Sequence, residues 1–333
     1  MVAALWDSKP ATVTPEAPAE PTRATSRKTT DADTASSLID ALRAAVGTTT
    51  DTAARLEQME AKIDALSSQE PRTIRIQVGE GTPGPTVQDA RPEVAQIVRR
   101  LLCRKPGKRN AWMVGPAGSG KTTLAHTIAD ALGKPFGFQS FAADSTAATL
   151  IGGPNAAGIY QETAFIHAYE TGGVYLLDEI DAAPAEILVA INSALANGHL
   201  ALPRHHDPER RMIKRHPETI ILAAANTYGT GATAQYVGRA AIDASTLDRF
   251  AGLIFHIDYD AALERALCPD ESVRSIVTSL RHAAQTHKMR RIISTRAMEA
   301  AADMHAAGYE LAEIVEALTQ GWTSEEKVKA GCA

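Results

Sequence analysis

The chain has 333 residues, 44% of them hydrophobic, and a formal net charge of −5. That length leaves room for two packed domains at roughly 100–200 residues each, and the acidic balance excludes a chain-wide basic field for holding DNA or RNA. Aromatics are sparse at 5%, a mix that favours helices and α/β layers over an all-β sandwich.

Residues 1–36 are rich in Thr, Ala, Pro and Ser, and Pro10, Pro15, Pro18 and Pro21 interrupt any helix. This composition predicts a disordered tail. Residues 37–70 read as helical, broken near Gly47–Thr52. Leu56, Met59, Ile63 and Leu66 fall on an a/d seam there, which suits either a short coiled coil or a single amphipathic helix. Arg72–Val78 alternates apolar and polar residues as a strand does, and the Gly/Pro-rich stretch Gly79–Pro85 reads as a turn.

Val94, Ile97, Val98, Leu101 and Leu102 then carry helical periodicity. From Ala111 to Ile257 apolar strand candidates alternate with helical patterns: Ala111–Val114, Phe136–Phe141, Val174–Leu177, Ile220–Ala224 and Leu253–Ile257. Such alternation predicts a parallel sheet flanked by helices. After Tyr259 only helical patterns follow, so the sequence divides into an α/β body over 71–259 and a smaller all-helical region over 260–333.

The three cysteines, Cys103, Cys268 and Cys332, are widely separated, which fits a reducing cytosol better than a disulfide framework or a zinc knuckle. No apolar run approaches the ~18 residues needed to cross a bilayer. No charged-then-apolar signal pattern precedes Lys9-Pro10. A cytoplasmic protein without membrane segments is expected.

Two motifs carry chemistry. Gly115-Pro116-Ala117-Gly118-Ser119-Gly120-Lys121-Thr122 fits G-x-x-x-x-G-K-[ST] at every fixed position. Glycines let the backbone curl so that successive N–H groups face phosphate, and the helix opening at Thr123 adds the positive end of its dipole. Lys121 would reach the β/γ-phosphates, and Thr122 would offer its hydroxyl to Mg²⁺. The second motif, Val174-Tyr-Leu-Leu177-Asp178-Glu179, is an apolar strand ending in two carboxylates. There Asp178 would hold Mg²⁺, and Glu179 would act as general base on the attacking water. Together they specify a P-loop NTPase that binds a nucleoside triphosphate with Mg²⁺.

Three further segments resemble those of AAA+ ATPases. Ile220-Ile-Leu-Ala-Ala-Ala-Asn226 is an apolar strand ending in the sensor-1 asparagine. Leu247-Asp248-Arg249-Phe250 is similar to the arginine-finger segment, and Ser294-Thr295-Arg296 to sensor 2. The resemblance implies that Asn226 positions the water and that Arg249 reaches the γ-phosphate of a neighbouring subunit. Arg296 would touch the same phosphate from its own lid. Read from the residues alone, Asn226 could instead cap a turn, Arg249 could pair with Asp248 or Asp243, and Arg296 could lie on an exposed helix face.

Within AAA+, the chain looks most like the MoxR group and the ATPase subunit of aerobic cobaltochelatase. This rests on Ala223-Ala-Ala-Asn226-Thr-Tyr-Gly229-Thr-Gly231-Ala-Thr233-Ala-Gln-Tyr236-Val-Gly238 and on Gly198-His-Leu-Ala-Leu-Pro203. Residues 1–70 lie outside the likeness. The resemblance implies a homo-oligomeric, hexameric ring, a protein partner such as one carrying a von Willebrand factor A domain, and a remodelling or chaperone role. It also implies ATP rather than GTP, and no guanine-reading N-K-x-D is seen. Two insertions follow from it, Leu150–Thr163 and a hairpin over about His199–Thr219. That hairpin holds Arg204, His205, His206, Arg210, Arg211, Lys214, Arg215 and His216, either a solvated surface or a grip for acidic peptide or nucleic acid. A nucleic-acid motor or DNA-defence subunit is therefore the competing role.

Overall fold

A computed structural model describes residues 91–332 in full and, before them, the backbone of two short strands. The tail over 1–36 and the helical stretch over 37–70 lie outside the described residues.

The elements run β1 (Ile74–Gln77), β2 (Pro83–Val87), α1 (Pro92–Leu102), β3 (Asn110–Val114), α2 (Lys121–Ala131) and β4 (Phe136–Ser140). Next come α3 (Ala147–Ile151), β5 (Gly153–Pro154), β6 (Tyr160–Gln161), α4 (Ala164–Thr171), β7 (Gly173–Asp178) and α5 (Ala185–Asn197). Then follow β8 (His199–Ala201), β9 (Met212–Lys214), β10 (Thr219–Ala225), α6 (Ala244–Asp248) and β11 (Ile254–His256). The helical region comprises α7 (Ala261–Leu267), α8 (Glu271–Thr286), α9 (Thr295–Ala306), α10 (Leu311–Leu318) and α11 (Ser324–Lys329).

The five strands expected between Ala111 and Ile257 form one sheet in the order β11-β3-β10-β7-β4, and every neighbouring pair is parallel. Its inner strands are apolar without alternation because both faces are covered. Successive residues feed opposite cores. Trp112, Val114, Tyr175, Leu177, Ile221 and Ala223 face the layer of α4 and α5. Met113, Val174, Leu176, Ile220 and Leu222 face α1 and α2. Trp112 is fixed edge-on against Phe250, ring centroids 5.2 Å apart. A third core, built on Val273, Val277, Leu280, Met298 and Ile314, holds the helical region together. Burying each such side chain contributes about 1.5–3 kcal/mol.

The Gly/Pro-rich turn is corrected in part. Pro83 to Val87 is a strand that pairs antiparallel with β1, with a register irregularity between Arg75 and Gln77. A two-stranded ribbon has edges on both sides, so prolines that would break an inner strand are tolerated there.

Both insertions are hairpins: β5 with β6 between α3 and α4, and β8 with β9 before β10. They dock on each other, the His205 ring lying 4.5 Å from that of Tyr160. Part of the second hairpin's basic charge is turned inward. Arg210 contacts Glu162 and Glu170, each at 2.7 Å. Arg215 is buried and donates to the carbonyls of Thr219 and Arg109, and burial lowers its pKa to about 10. Arg204, His206, Arg211 and Lys214 stay exposed.

Candidate active site

The loop leaves the carboxyl end of β3 and meets the end of β10, where open α/β sheets hold ligands. Gly115 is required by close approach: a Cβ there would stand 1.8 Å from the Ile257 carbonyl oxygen. Gly118 is required twice, by a φ of +74° and by Ser294, whose Cβ would be 2.6 Å from an added methyl. Ser119 Oγ is buried without a hydrogen-bond partner, and the Ser119 carbonyl accepts from Arg91 at 2.7 Å. Gly120 caps α2, whose first residue is Lys121.

Lys121 Nζ donates at 2.9 Å to the carbonyls of Gly115 and Pro116 and to Asn226 Oδ1. Burial lowers its pKa to about 8, against the opposing pull of Asp178, Asp181 and Glu179. Thr122 Oγ1 donates to Asp178 Oδ2 at 2.8 Å. Glu179 follows with a left-handed φ of 53°, uncommon for a residue bearing a Cβ.

These groups line one cleft of about 320 Å³, together with Thr123, Arg296 and Glu299. Its other wall is helical, from Asp260, Leu263, Leu267 and Thr295. A cleft of that size matches small-molecule sites in general. The donor set also fits a hydrated Mg²⁺, because a hydroxyl and a carboxylate, both hard oxygens, already lie side by side. The N-terminus of α2, a glycine-curled loop and a buried ammonium fit a polyphosphate.

Arg249 stands apart from this cleft. It is exposed and donates to Asn192 Oδ1 at 3.2 Å, not to Asp243 or Asp248. Arg296 lies at the cleft, one residue beyond the start of α9, and its backbone N–H is capped by Ser294 Oγ.

Sequence reasoning missed a supporting set. Asp181 is fully buried, and its Oδ2 accepts from Asn226 N, Thr227 N and Thr227 Oγ1 at 3.1, 3.0 and 2.9 Å. Its place three residues after Asp178 was the available signal. Tyr236 and Tyr259 grip Ala117 from opposite sides: the Ala117 N–H donates to Tyr236 Oη at 2.9 Å, and Tyr259 Oη donates to the Ala117 carbonyl at 3.1 Å. Nothing in the spacing of these residues marks them.

Residues 110–250 match the family model of the AAA domain, dynein-related subfamily. The matched stretch, less than half of the chain, holds the phosphate loop and four of the five strands of the parallel sheet, an arrangement that supports an ATPase. No curated protein is significantly similar in sequence. Among solved structures, NtrX from Brucella abortus is similar at 17% identity and a TM-score of 0.41, over 82% of this chain and 57% of that one. The NtrX complex with ADP gives 19% and 0.38, over 84% and 58%. The complex with ATP gives 18% and 0.40, over 83% and 59%. The chain thus spans less than two thirds of each NtrX chain.

Proposed function

We propose that this chain is an Mg²⁺-dependent ATPase of the MoxR type that works as a ring, hexameric by resemblance, and remodels a partner protein or complex in the cytoplasm. One observation carries the reading: Lys121, Asn226, Thr122 and Asp178, scattered over 105 residues of sequence, meet within hydrogen-bond distance in one cleft.

In this reading Gly115 to Thr123 wrap the phosphates, with backbone N–H groups offered from Gly118 onward, and Lys121 turns from its carbonyls to the β/γ-phosphates. Thr122 and Asp178 hold the metal, which when bound neutralises charge on the phosphate oxygens. Glu179 accepts the proton of the attacking water and Asn226 orients that water. Arg296 reaches the γ-phosphate from the helical region. The exposure of Arg249 outside its own cleft supports an action on a neighbouring copy, which makes the assembled ring the complete enzyme. The pairing of Arg210 with Glu162 and Glu170 and the burial of Arg215 reduce the hairpin's basic face, which supports a protein partner over nucleic acid, and a von Willebrand factor A domain is the partner type the resemblance implies.

The test is a Glu179→Gln trap used as bait in MgATP. Retention of a protein partner on the ATP-loaded trap, and not on Lys121→Ala, is expected. Calorimetry that detects no ATP uptake by folded parent protein in Mg²⁺ would end the proposal.

A further inference from the structure

Two carbonyls of the phosphate loop are held from behind. The Ser119 carbonyl accepts from Arg91 Nη1 at 2.7 Å, and the Ala117 carbonyl accepts from Tyr259 Oη at 3.1 Å. Neither Arg91 nor Tyr259 lines the cleft. In a planar trans peptide the C=O and the following N–H point in opposite directions. Each hold therefore turns the next N–H, that of Gly120 or of Gly118, away from the pinning side chain and towards the cleft that both glycines line. Among the described residues no backbone carbonyl accepts from either N–H.

We propose that Arg91 and Tyr259 are positioning residues that aim the N–H groups of Gly120 and Gly118 at phosphate before the nucleotide arrives. The inference rests on the loop being a phosphate cradle. Both pins are themselves fixed, at the joint between the sheet and the helical region. Arg91 Nη2 donates to the Asp258 carbonyl at 2.8 Å and to Glu93 Oε1 at 3.1 Å, and its Nε lies 3.5 Å from Asp260 Oδ2. Asp260 in turn caps α7. The Arg281 guanidinium lies over the Tyr259 ring, 3.9 Å from its centroid. Burial pushes the Tyr259 pKa up to about 12, so the phenol keeps the proton it donates. A guanidinium at the carbonyl end of a peptide also polarises it and strengthens the N–H at the other end. Donors already aimed lose less freedom when the anion binds, which adds affinity without a new contact.

The experiment measures Kd for ATP and for ADP by calorimetry, kcat at saturating ATP, and the melting temperature without nucleotide. The proteins are the full-length parent, Tyr259→Phe, Arg91→Met and Arg91→Lys, all in Mg²⁺. Tyr259→Phe keeps the ring beneath Arg281 and removes only the donor. It should weaken ATP and ADP alike by about three- to tenfold, the worth of one hydrogen bond. Its kcat and its nucleotide-free melting temperature should match the parent, because the hold acts equally on ground and transition states. Arg91→Met should weaken both nucleotides at least as much, and Arg91→Lys, which retains a charged donor, should bind closer to the parent. Parent-like Kd in folded Tyr259→Phe and Arg91→Met overturns the proposal. So does weaker binding by Tyr259→Phe that comes with a matching fall in its nucleotide-free melting temperature, the mark of general loosening. If Arg91→Met does not fold, Tyr259→Phe decides alone. A folded parent that takes up no nucleotide refutes the phosphate cradle itself, and the pins with it.

Discussion

The ammonium of Lys121 sits 2.9 Å from Oδ1 of Asn226, so the cation of the phosphate loop is held by the neighbouring strand's end and by its own loop's carbonyls. Burial leaves it with a pKa of about 8, whereas the unfolded chain holds its proton to about 10.4. Because the folded value is the lower one, the penalty for burying the charge is fully present below pH 8. It is relieved between pH 8 and the unfolded value, so the nucleotide-free fold should gain stability across that window. ATP needs the charged form, so its apparent Kd should weaken above pH 8, approaching about tenfold per pH unit. Calorimetry in buffers of differing ionisation heat should register proton uptake on binding near pH 9. A flat affinity from pH 7.5 to 9.5 would contradict this.

Glu179→Gln should bind ATP as the parent does and lose roughly 10²–10⁴ in kcat, the usual worth of a general base. Single-turnover hydrolysis measures it. Equal turnover in variant and parent rules out the assignment.

Arg249→Ala should bind ATP normally and lose roughly 10³–10⁵ in turnover if the arginine serves a neighbour's site. Mixing it with Lys121→Ala protein should restore part of the activity, since some interfaces then pair an intact cleft with an intact arginine. The absence of rescue in verified mixed rings, at every ratio, would place Arg249 outside the chemistry.

Gly115→Ala puts a methyl 1.8 Å from the Ile257 carbonyl oxygen. Backbone, not a flexible side chain, must then move, and overpacking of that kind costs roughly 1–3 kcal/mol or more. Urea melts should show it, with weaker ATP binding in the surviving fold. A variant as stable as the parent would mean that β11 yields more easily than its pairing with β3 suggests.

Arg281 forms two hydrogen bonds with Glu264, at 2.9 and 2.6 Å, inside the helical region. Breaking one partner strands a buried charge, so Arg281→Met should cost roughly 3–5 kcal/mol. The double change with Glu264→Gln should recover part of that loss. Denaturant midpoints test both, and additive losses would argue against coupling.

The sheet was legible because inner parallel strands are apolar on both faces and end in turn chemistry. Asn110–Val114 and Thr219–Ala225 differ from the sequence expectation only at their ends. The cleft was legible where the chemistry is local, as from Gly115 to Thr123. What was hidden depends on tertiary placement. Arg239 looks like any loop arginine until the fold sets it 3.5 Å from Glu179. Arg210 and Arg215 read as a basic surface until Glu162, Glu170 and a buried carbonyl turn them inward. Pro83-Gly84-Pro85 reads as a turn until a partner strand pairs with it.

The near-contact of Gly118 with Ser294 gives the molecule a tactile property. Ser294 opens α9, so the first turn of a lid helix rests on the backbone that wraps phosphate, with no room for even one methyl group between them. Whatever tugs on that helix is felt at the nucleotide, and whatever swells or empties the phosphate cradle is felt along the helix, by equal amounts in free energy.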